Sequence, residues 1–312
     1  MNKQRGFFKS TNGIDDICYY KFLPEGEVRG VFQIVHGMAE HAGRYEGFAG
    51  YLCDRGFAVY AHEHVGHGGS VKDEARLGIF GDGDSSVMVG DVRKMCCIAR
   101  EENPGRKLIL LGHSMGSFVS RIFASENGSM LDGFVISGTG CANPAVKAAL
   151  ALVKVMKIFK GKDFRSVFMN KMAFGKYNDR YETHRTEFDW LTRDEKIVDD
   201  YIASPYCGFI FSLNGMEALL ELNGKSNRPE TFQKTRKDLP IYIVSGCMDP
   251  VGNFGEGVKK VYADYKAGGK KNIEMKLYPE SRHELINEFN KSEVFDDILT
   301  FALRIVGSYS TV

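Results

Sequence analysis

A serine between two glycines is the first side chain in this sequence that could act as a nucleophile. Ser114 lies in Gly112-His113-Ser114-Met115-Gly116, directly after an apolar run and before a helical pattern. That is the setting of the G-x-S-x-G turn, which exposes a serine at the end of a strand. The pattern alone is weak evidence because the chain contains 35 glycines. A serine hydroxyl also needs a base to take its proton, and the base needs a carboxylate to orient it.

A carboxylate and an imidazole follow later apolar runs in the order that such a site requires. Asp249 comes after the run 241–244, and His283 comes after the run 273–278. Taken singly, an aspartate after a strand is often a helix N-cap, and a lone histidine is more often structural than catalytic. The chain order Ser114, Asp249, His283 matches that of triads built on a G-x-S-x-G turn. We therefore predict Ser114 as the nucleophile, His283 as general base and then acid, and Asp249 as the residue that orients His283.

Two backbone N–H groups complete this predicted site. The oxyanion that forms when a serine attacks an ester carbonyl needs fixed donors, one from the residue after the nucleophile and one from an early loop after a strand. Met115 follows Ser114, and Met38 comes shortly after the apolar run 31–35. We predict that the N–H groups of Met38 and Met115 form the oxyanion hole.

Strands and helices are predicted in alternation around these residues. Short apolar runs predict strands at 31–35, 57–61, 108–111, 134–136, 241–244 and 273–278, and helical patterns fall at 44–55, 87–102, 117–126, 257–266 and 293–306. An antiparallel pair, 7–9 and 17–23, precedes them on either side of a turn at Asn12-Gly13. The alternation predicts an α/β fold with a mostly parallel sheet, helices on both faces and ligands at the C-terminal strand ends.

One long segment interrupts the alternation. Residues 139–238 have helical patterns, so we predict a core domain formed by 1–138 and 239–312 and an inserted helical cap at 139–238. Within the cap, the predicted helix 145–160 carries four lysines on one arc and apolar side chains on the opposite face. That face either packs on the protein itself or rests transiently on a membrane surface, and the sequence leaves both alternatives open.

The composition is that of an ordinary globular chain. The 312 residues are 43% hydrophobic, which excludes extensive disorder, and a formal net charge of +1 gives no reason to expect a nucleic acid as partner. No apolar run reaches the roughly 18 residues of a membrane span, and the N-terminus lacks the apolar region of a signal peptide. The seven cysteines show no C-x-x-C pattern. We therefore predict a cytoplasmic protein without a disulfide framework; no cofactor is expected, and the sequence does not indicate an oligomeric state.

Three sequence blocks carry a resemblance to a known family. They are His36-Gly37-Met38-Ala39-Glu40-His41-Ala42-Gly43-Arg44-Tyr45, Ala61-His62-Glu63-His64-Val65-Gly66-His67-Gly68-Gly69-Ser70 and Gly112-His113-Ser114-Met115-Gly116. With Asp249 and His283, they resemble the monoglyceride lipase and lysophospholipase branch of the α/β-hydrolase superfamily. The resemblance implies an α/β-hydrolase fold, a serine hydrolase and a helical cap over the site. It also implies that Glu40 and Arg44 bind the polar end of the substrate, near a glycerol-like leaving group.

This resemblance makes a small-molecule lipid ester the expected substrate, hydrolysed through an acyl-enzyme. Monoacylglycerol or a related single-chain lipid ester is preferred, with esters of small or aromatic acids and lysophospholipids as alternatives. A metal-dependent hydrolase is a remote alternative, because His62-Glu63-His64-Val65-Gly66-His67 is close to the H-x-H-x-D-H zinc pattern. Gly66 replaces the aspartate of that pattern, so no metal site is predicted. A non-catalytic binding module on the same fold is the other remote alternative.

Overall fold

Eight strands form one sheet in the computed structural model, which describes residues 1–81 and 85–307. In chain order the strands are β1 (Asn2–Lys9), β2 (Asp16–Leu23), β3 (Gly30–Val35), β4 (Phe57–His62), β5 (Leu108–His113), β6 (Gly133–Ser137), β7 (Ile241–Gly246) and β8 (Ile273–Tyr278). Across the sheet they run in the order β1-β2-β4-β3-β5-β6-β7-β8. The β1–β2 and β2–β4 pairs are antiparallel and the other pairs are parallel, which confirms the predicted mostly parallel sheet.

Burial explains which strands have a strong sequence signal. Every residue of β3 to β7 is buried, and strands buried on both faces have nearly unbroken apolar sequences. β1 lies at the edge of the sheet, and most of its residues are exposed. It begins at Asn2 rather than at the predicted residue 7. The prediction missed residues 2–6 because the exposed Lys3 and Arg5 interrupt the apolar pattern.

Ten α-helices accompany the sheet in the described part of the chain. They are α1 (Glu46–Cys53), α2 (Ser85–Glu102), α3 (Met115–Asn127), α4 (Val146–Lys160), α5 (Val167–Phe174), α6 (Glu195–Ala203), α7 (Leu213–Ser226), α8 (Pro229–Lys234), α9 (Glu256–Ala267) and α10 (Lys291–Val306). α1 and α10 pack on one face of the sheet, and α2, α3 and α9 pack on the other. The prediction of helices on both faces is therefore confirmed.

The predicted helix 44–55 is wrong at its start. Ala42–Tyr45 form a 3-10 helix, and α1 begins only at Glu46. The tighter turn is held because Arg44 and Tyr45 both donate hydrogen bonds to the buried Glu40 carboxylate.

The segment between β6 and β7 contains α4 to α8. Val153, Met169, Leu213 and Met216 form a small apolar cluster that joins α4, α5 and α7, and α7 also packs on α3. The predicted helical content of this segment is confirmed, whereas its division from the rest of the chain as a cap domain stays a prediction. Within residues 1–81 and 85–307, none of the helices combines the length and the apolar character needed to cross a membrane.

Candidate active site

Ser114 stands at a sharp turn between β5 and α3. Its φ of +54° and ψ of −122° are strained for a residue with a side chain. A Cβ on Gly116 would lie 2.2 Å from the carbonyl oxygen of Val35, and a Cβ on Gly112 would lie 2.4 Å from Ser120 Oγ. Both glycines are therefore packing requirements of the G-x-S-x-G turn, since any side chain there would push α3 away from the strands.

Asp249 and His283 meet beyond the ends of β7 and β8. Both Asp249 carboxylate oxygens lie 3.0 Å from His283 Nδ1, a contact that keeps the proton on Nδ1 and leaves Nε2 free to accept another. The Val251 N–H and the Ser245 hydroxyl donate to the same carboxylate at 2.9 and 3.2 Å. Burial lowers the pKa of His283, but the charge and hydrogen bond of Asp249, followed by two further carboxylates, outweigh burial and raise the pKa above its ordinary 6.5.

Ser114 and His283 line the same cavity, whose volume is about 580 Å³. The rings of His113 and Trp190 flank the His283 ring, with centroid distances of 4.6 and 5.0 Å. Burial and the neighbouring His283 lower the pKa of His113 to about 4, which keeps it uncharged at neutral pH. In the described chain, Asp249 is the hydrogen-bond partner of the His283 ring. Within residues 1–81 and 85–307, Ser114 Oγ makes no hydrogen bond to His283, and catalytic hydrogen bonds of this kind often tighten only when substrate binds.

Met38 and Met115 line the cavity together with Ser114. Met115 is the first residue of α3, so its N–H has no carbonyl partner within the helix and lies at the positive end of the helix dipole. Met38 comes after β3 and directly before Ala39, whose φ of +50° turns the loop. Both residues thus belong to the wall of the cavity that contains Ser114, and their use as an oxyanion hole stays a prediction.

Glu40 and Arg44 belong to a buried ion-pair network that also contains Glu284. Glu40 Oε1 accepts from the Gly37 N–H and, at 2.8 Å, from the Tyr45 hydroxyl, and Glu40 Oε2 accepts from Arg44 at 3.0 Å. The Arg44 guanidinium also donates to both carboxylate oxygens of Glu284. Burial raises the pKa of Glu40, but Arg44 and other neighbours outweigh burial and lower it overall, so the carboxylate is ionised.

The three members of this network differ in their access to the cavity. Glu40 and Glu284 line the cavity that contains Ser114, whereas Arg44 lines a smaller neighbouring cavity. A direct role of Glu40 and Arg44 in substrate binding stays a prediction. Glu284 is a further residue of the site that was not predicted, and its position directly after His283 is the one sequence feature that points to it.

Apolar side chains from the helices between β6 and β7 line much of the remaining cavity. α4, α5 and α7 contribute Val146, Met169, Phe174, Met216 and Leu220. These helices therefore contribute a mainly apolar side of the cavity, with Asn170, Lys171 and Asn223 as polar exceptions, and the part of the cavity that contains Ser114 and His283 is its polar end.

The histidines that resemble a zinc pattern are buried and pack against one another. The ring centroids of His62 and His64 are 5.4 Å apart, and those of His64 and His67 are 5.8 Å apart. Burial lowers the pKa of His62 and of His67 to about 3, while Glu63 pairs with His36 at 3.3 Å. Across residues 1–81 and 85–307, no group of three or more His, Cys, Asp or Glu side chains is arranged to hold a metal ion. His64 and His67 each make a hydrogen-bond contact with a backbone carbonyl through one ring nitrogen, whereas both ring nitrogens of His62, at the end of β4, lack a hydrogen-bond partner in the described chain.

Two matches to known proteins show the family to which this chain belongs: a family model and a relative aligned over most of its length. The model described as serine aminopeptidase, S33, matches residues 26–290. The monoglyceride lipase of Mus musculus is 30% identical over 284 residues, which cover 90% of this chain and 83% of the mouse protein. The chain belongs to the family that this model describes, and within it to the monoglyceride lipase branch.

Two further proteins agree with that assignment. The monoacylglycerol lipase of Mycolicibacterium smegmatis is 29% identical over 301 residues, which cover 94% of this chain and 95% of the relative. The crystal structure of a highly thermostable carboxyl esterase from Bacillus coagulans in complex with glycerol has a TM-score of 0.92 at 30% identity and covers 98% of this chain and 100% of the esterase. The predicted family and α/β-hydrolase fold are thus confirmed, and this family member is a carboxylic ester hydrolase.

Proposed function

We propose that this carboxylic ester hydrolase cleaves monoacylglycerols through an acyl-enzyme on Ser114. The observation that carries the proposal is the arrangement of one cavity. Ser114, His283 and two carboxylates lie at its polar end, and apolar side chains of α4, α5 and α7 line another side. A single acyl chain suits the apolar side and an uncharged glycerol suits the polar end. The volume of about 580 Å³ is within the range of about 300 to 1,000 Å³ typical of small-molecule sites.

The proposed reaction has two halves. In the first, Ser114 Oγ attacks the ester carbonyl while His283 Nε2 takes the hydroxyl proton, and the N–H groups of Met38 and Met115 stabilise the oxyanion. Glycerol then leaves with the proton held by His283. In the second half, water gives a proton to His283 and attacks the acyl-enzyme, and the fatty acid leaves as Ser114 regains its proton. In both halves Asp249 accepts a hydrogen bond from the Nδ1–H of His283 and stabilises the imidazolium.

The names of the relatives support this substrate. The M. smegmatis and mouse proteins are named as lipases of monoacylglycerols, and the B. coagulans esterase was solved with glycerol. The proposed partner is therefore a small lipid ester. Lysophospholipids and esters of small or aromatic acids are the alternatives.

A chain-length series tests the proposed substrate. We expect kcat/KM for monoacylglycerols to rise with acyl length, because each methylene buried against the apolar wall contributes about 0.8 kcal/mol, or about fourfold. Lysophosphatidylcholines of matched length should give values at least about 10-fold lower, because their bulkier charged alcohol does not match the polar end. The highest kcat/KM on lysophosphatidylcholines, or on acetyl and aryl esters, would overturn the proposal in favour of that alternative.

We propose in addition that the helices between β6 and β7 make transient contact with a lipid surface. The predicted apolar face of α4 is largely uncovered, since Ile158 and Phe159 are each 78% exposed, and Phe168 on α5 is 60% exposed. Lys154 and Lys160 are also exposed on α4, so the apolar patch has a positive border that suits anionic lipids. Both helices contribute to the cavity wall, which places the patch near the apolar side of the proposed substrate site.

Replacing Ile158 and Phe159 together by serine should weaken binding to anionic phospholipid vesicles at least about 10-fold, because two large apolar side chains lose their contact with lipid. Cosedimentation with phosphatidylglycerol vesicles measures the binding, and the hydrolysis of a monomeric short-chain ester should not change. Ile14→Ser is the matched control, since Ile14 is 69% exposed on the turn between β1 and β2. Equal vesicle binding by the wild type and the double variant would contradict the proposed contact.

A cytoplasmic location is also a proposal. It rests on the cysteines, because all seven are free thiols. Reducing compartments keep cysteines in this form.

A further inference from the structure

The polar end of the cavity carries buried negative charge. Glu40 and Glu284 both line the cavity, and their side chains are only 5% and 4% exposed. One guanidinium, that of Arg44, pairs with both carboxylates. Two carboxylates that share one cation leave one negative charge uncompensated beside the proposed reaction centre.

Lysine and arginine side chains in the described lining of the cavity do little to offset this charge. Lys171 is the only lysine or arginine among the described residues that line the cavity, and it lies exposed on α5. Burial keeps the pKa of His113 low, at about 4, so its ring adds no positive charge near neutral pH. Asp249, on the far side of the His283 ring from the substrate, adds a further carboxylate to the surroundings.

The uncompensated charge is close to the position of the ester. A Cβ built on Gly37 would lie 2.8 Å from Glu40 Oε1 and 3.1 Å from Ser114 Cβ. The Glu40 carboxylate and the Ser114 side chain therefore lie close together, on either side of Gly37. Glu284 directly follows His283 and lies at the same strand end. Charges interact strongly at such separations when they are buried, because little water screens them.

We propose that Glu284 and Glu40 make the alcohol side of the cavity selective by charge: an uncharged glycerol is accepted as leaving group, and an alcohol that carries a phosphate is repelled. This inference rests on the proposed hydrolysis of monoacylglycerols and adds the class of lipid that the site excludes, the acyl esters of glycerol phosphate. Glycerol hydroxyls donate hydrogen bonds to carboxylate oxygens. A phosphate monoester brings a charge of about −1.5 to −2 at neutral pH.

Glu284→Gln tests the charge with little change of shape. The substrates are a monoacylglycerol and the acylglycerol phosphate with the same short acyl chain, both presented as monomers. In the wild type, kcat/KM for the neutral ester should exceed that for the phosphate ester at least about 100-fold, and in Glu284→Gln this ratio should fall about 10-fold. Glu280→Gln is the matched control, because it removes the same charge from a side chain that is 82% exposed just after β8. Its ratio should equal that of the wild type.

A second variant separates charge from shape. Glu284→Asp keeps the negative charge but shortens the side chain, so it should keep the wild-type ratio even where its turnover falls. An unchanged ratio in Glu284→Gln would overturn the inference.

The wild type alone also tests the inference. This measurement applies even if Glu284→Gln does not fold. Hydrolysis of the two esters by the wild type with kcat/KM values within about threefold of each other would overturn the charge selectivity and leave the proposed function intact. Hydrolysis of the phosphate ester with no activity on the monoacylglycerol would overturn both.

Discussion

Replacing Ser114 by alanine should lower kcat for ester hydrolysis by roughly one-thousandfold to one-millionfold while the protein stays folded. The hydroxyl forms the covalent intermediate in the proposed mechanism, so its loss removes the reaction path. The side chain is only half-buried, so the loss of one oxygen costs little packing. Initial rates on a monoacylglycerol and a thermal unfolding curve give the two readouts. Covalent labelling by a fluorophosphonate, which reacts with activated serines, should disappear as well.

Ser120→Ala is the matched control for this prediction. Ser120 is buried on α3, and its hydroxyl has no hydrogen-bond partner in the described chain, so the loss of the same atom there should leave activity and labelling nearly unchanged. A chelator should not change the wild-type rate, because the proposed mechanism uses no metal ion. Substantial turnover by Ser114→Ala, or wild-type activity that is lost on chelation and restored by zinc, would contradict the proposed nucleophile.

The central sheet and the three proposed triad residues could be predicted because their signals are local in the sequence. The runs 31–35 and 108–111 are almost wholly apolar, since helices cover both faces of these strands. Ser114, Asp249 and His283 each come shortly after a strand. Because the C-terminal ends of parallel strands meet at one edge of the sheet, position after a strand is enough to bring such residues together.

The charge network could not be predicted, because its decisive pair is distant in the sequence. Arg44 and Glu284 are separated by 240 residues, and a glutamate in a loop after a strand is usually solvated. The family resemblance implied a role for Glu40 and Arg44 but gave no sign of Glu284. The 3-10 turn over residues 42–45 and the carboxylate of Glu284 hold Arg44 in a buried position.

The exposure of the apolar face of α4 also depends on tertiary contacts. Val153 is buried where α4 meets α7, and the partly buried Met156 packs against the same cluster. Ile158 and Phe159 are on a part of α4 that the helices of the described chain leave exposed. The pattern of apolar residues predicts the helix, but it does not show which of its apolar side chains a neighbour will cover.

Asp249→Asn should lower kcat by roughly 100-fold to 10,000-fold and leave a folded protein. The wild-type carboxylate accepts a hydrogen bond from the Nδ1–H of His283 and stabilises the imidazolium, whereas an asparagine carries no charge and presents an NH2 group to part of the same space. That NH2 group favours the tautomer with the proton on Nε2, which cannot accept a proton from Ser114. Steady-state kinetics on a monoacylglycerol measure the loss.

The same variant should move the acid limb of the pH profile of kcat/KM. His283 must be uncharged to act as a base, so activity falls as the pH drops through its pKa. In the wild type, burial lowers that pKa but Asp249 and nearby carboxylates raise it above 6.5 overall, so the acid limb should lie above pH 6.5. Removing the charge of Asp249 lowers the pKa of His283, and the limb of the residual activity should therefore shift to lower pH.

Asp91→Asn is the matched control for both readouts. Asp91 is a buried carboxylate on α2 that accepts hydrogen bonds from the Ser10 hydroxyl and the Thr11 N–H, and it is not part of the cavity wall. The same chemical change there should lower the free energy of unfolding but leave the acid limb where it is in the wild type. An acid limb that also stays in place in Asp249→Asn would show that the charge of Asp249 does not set the pKa of His283, and the proposed pairing would fail.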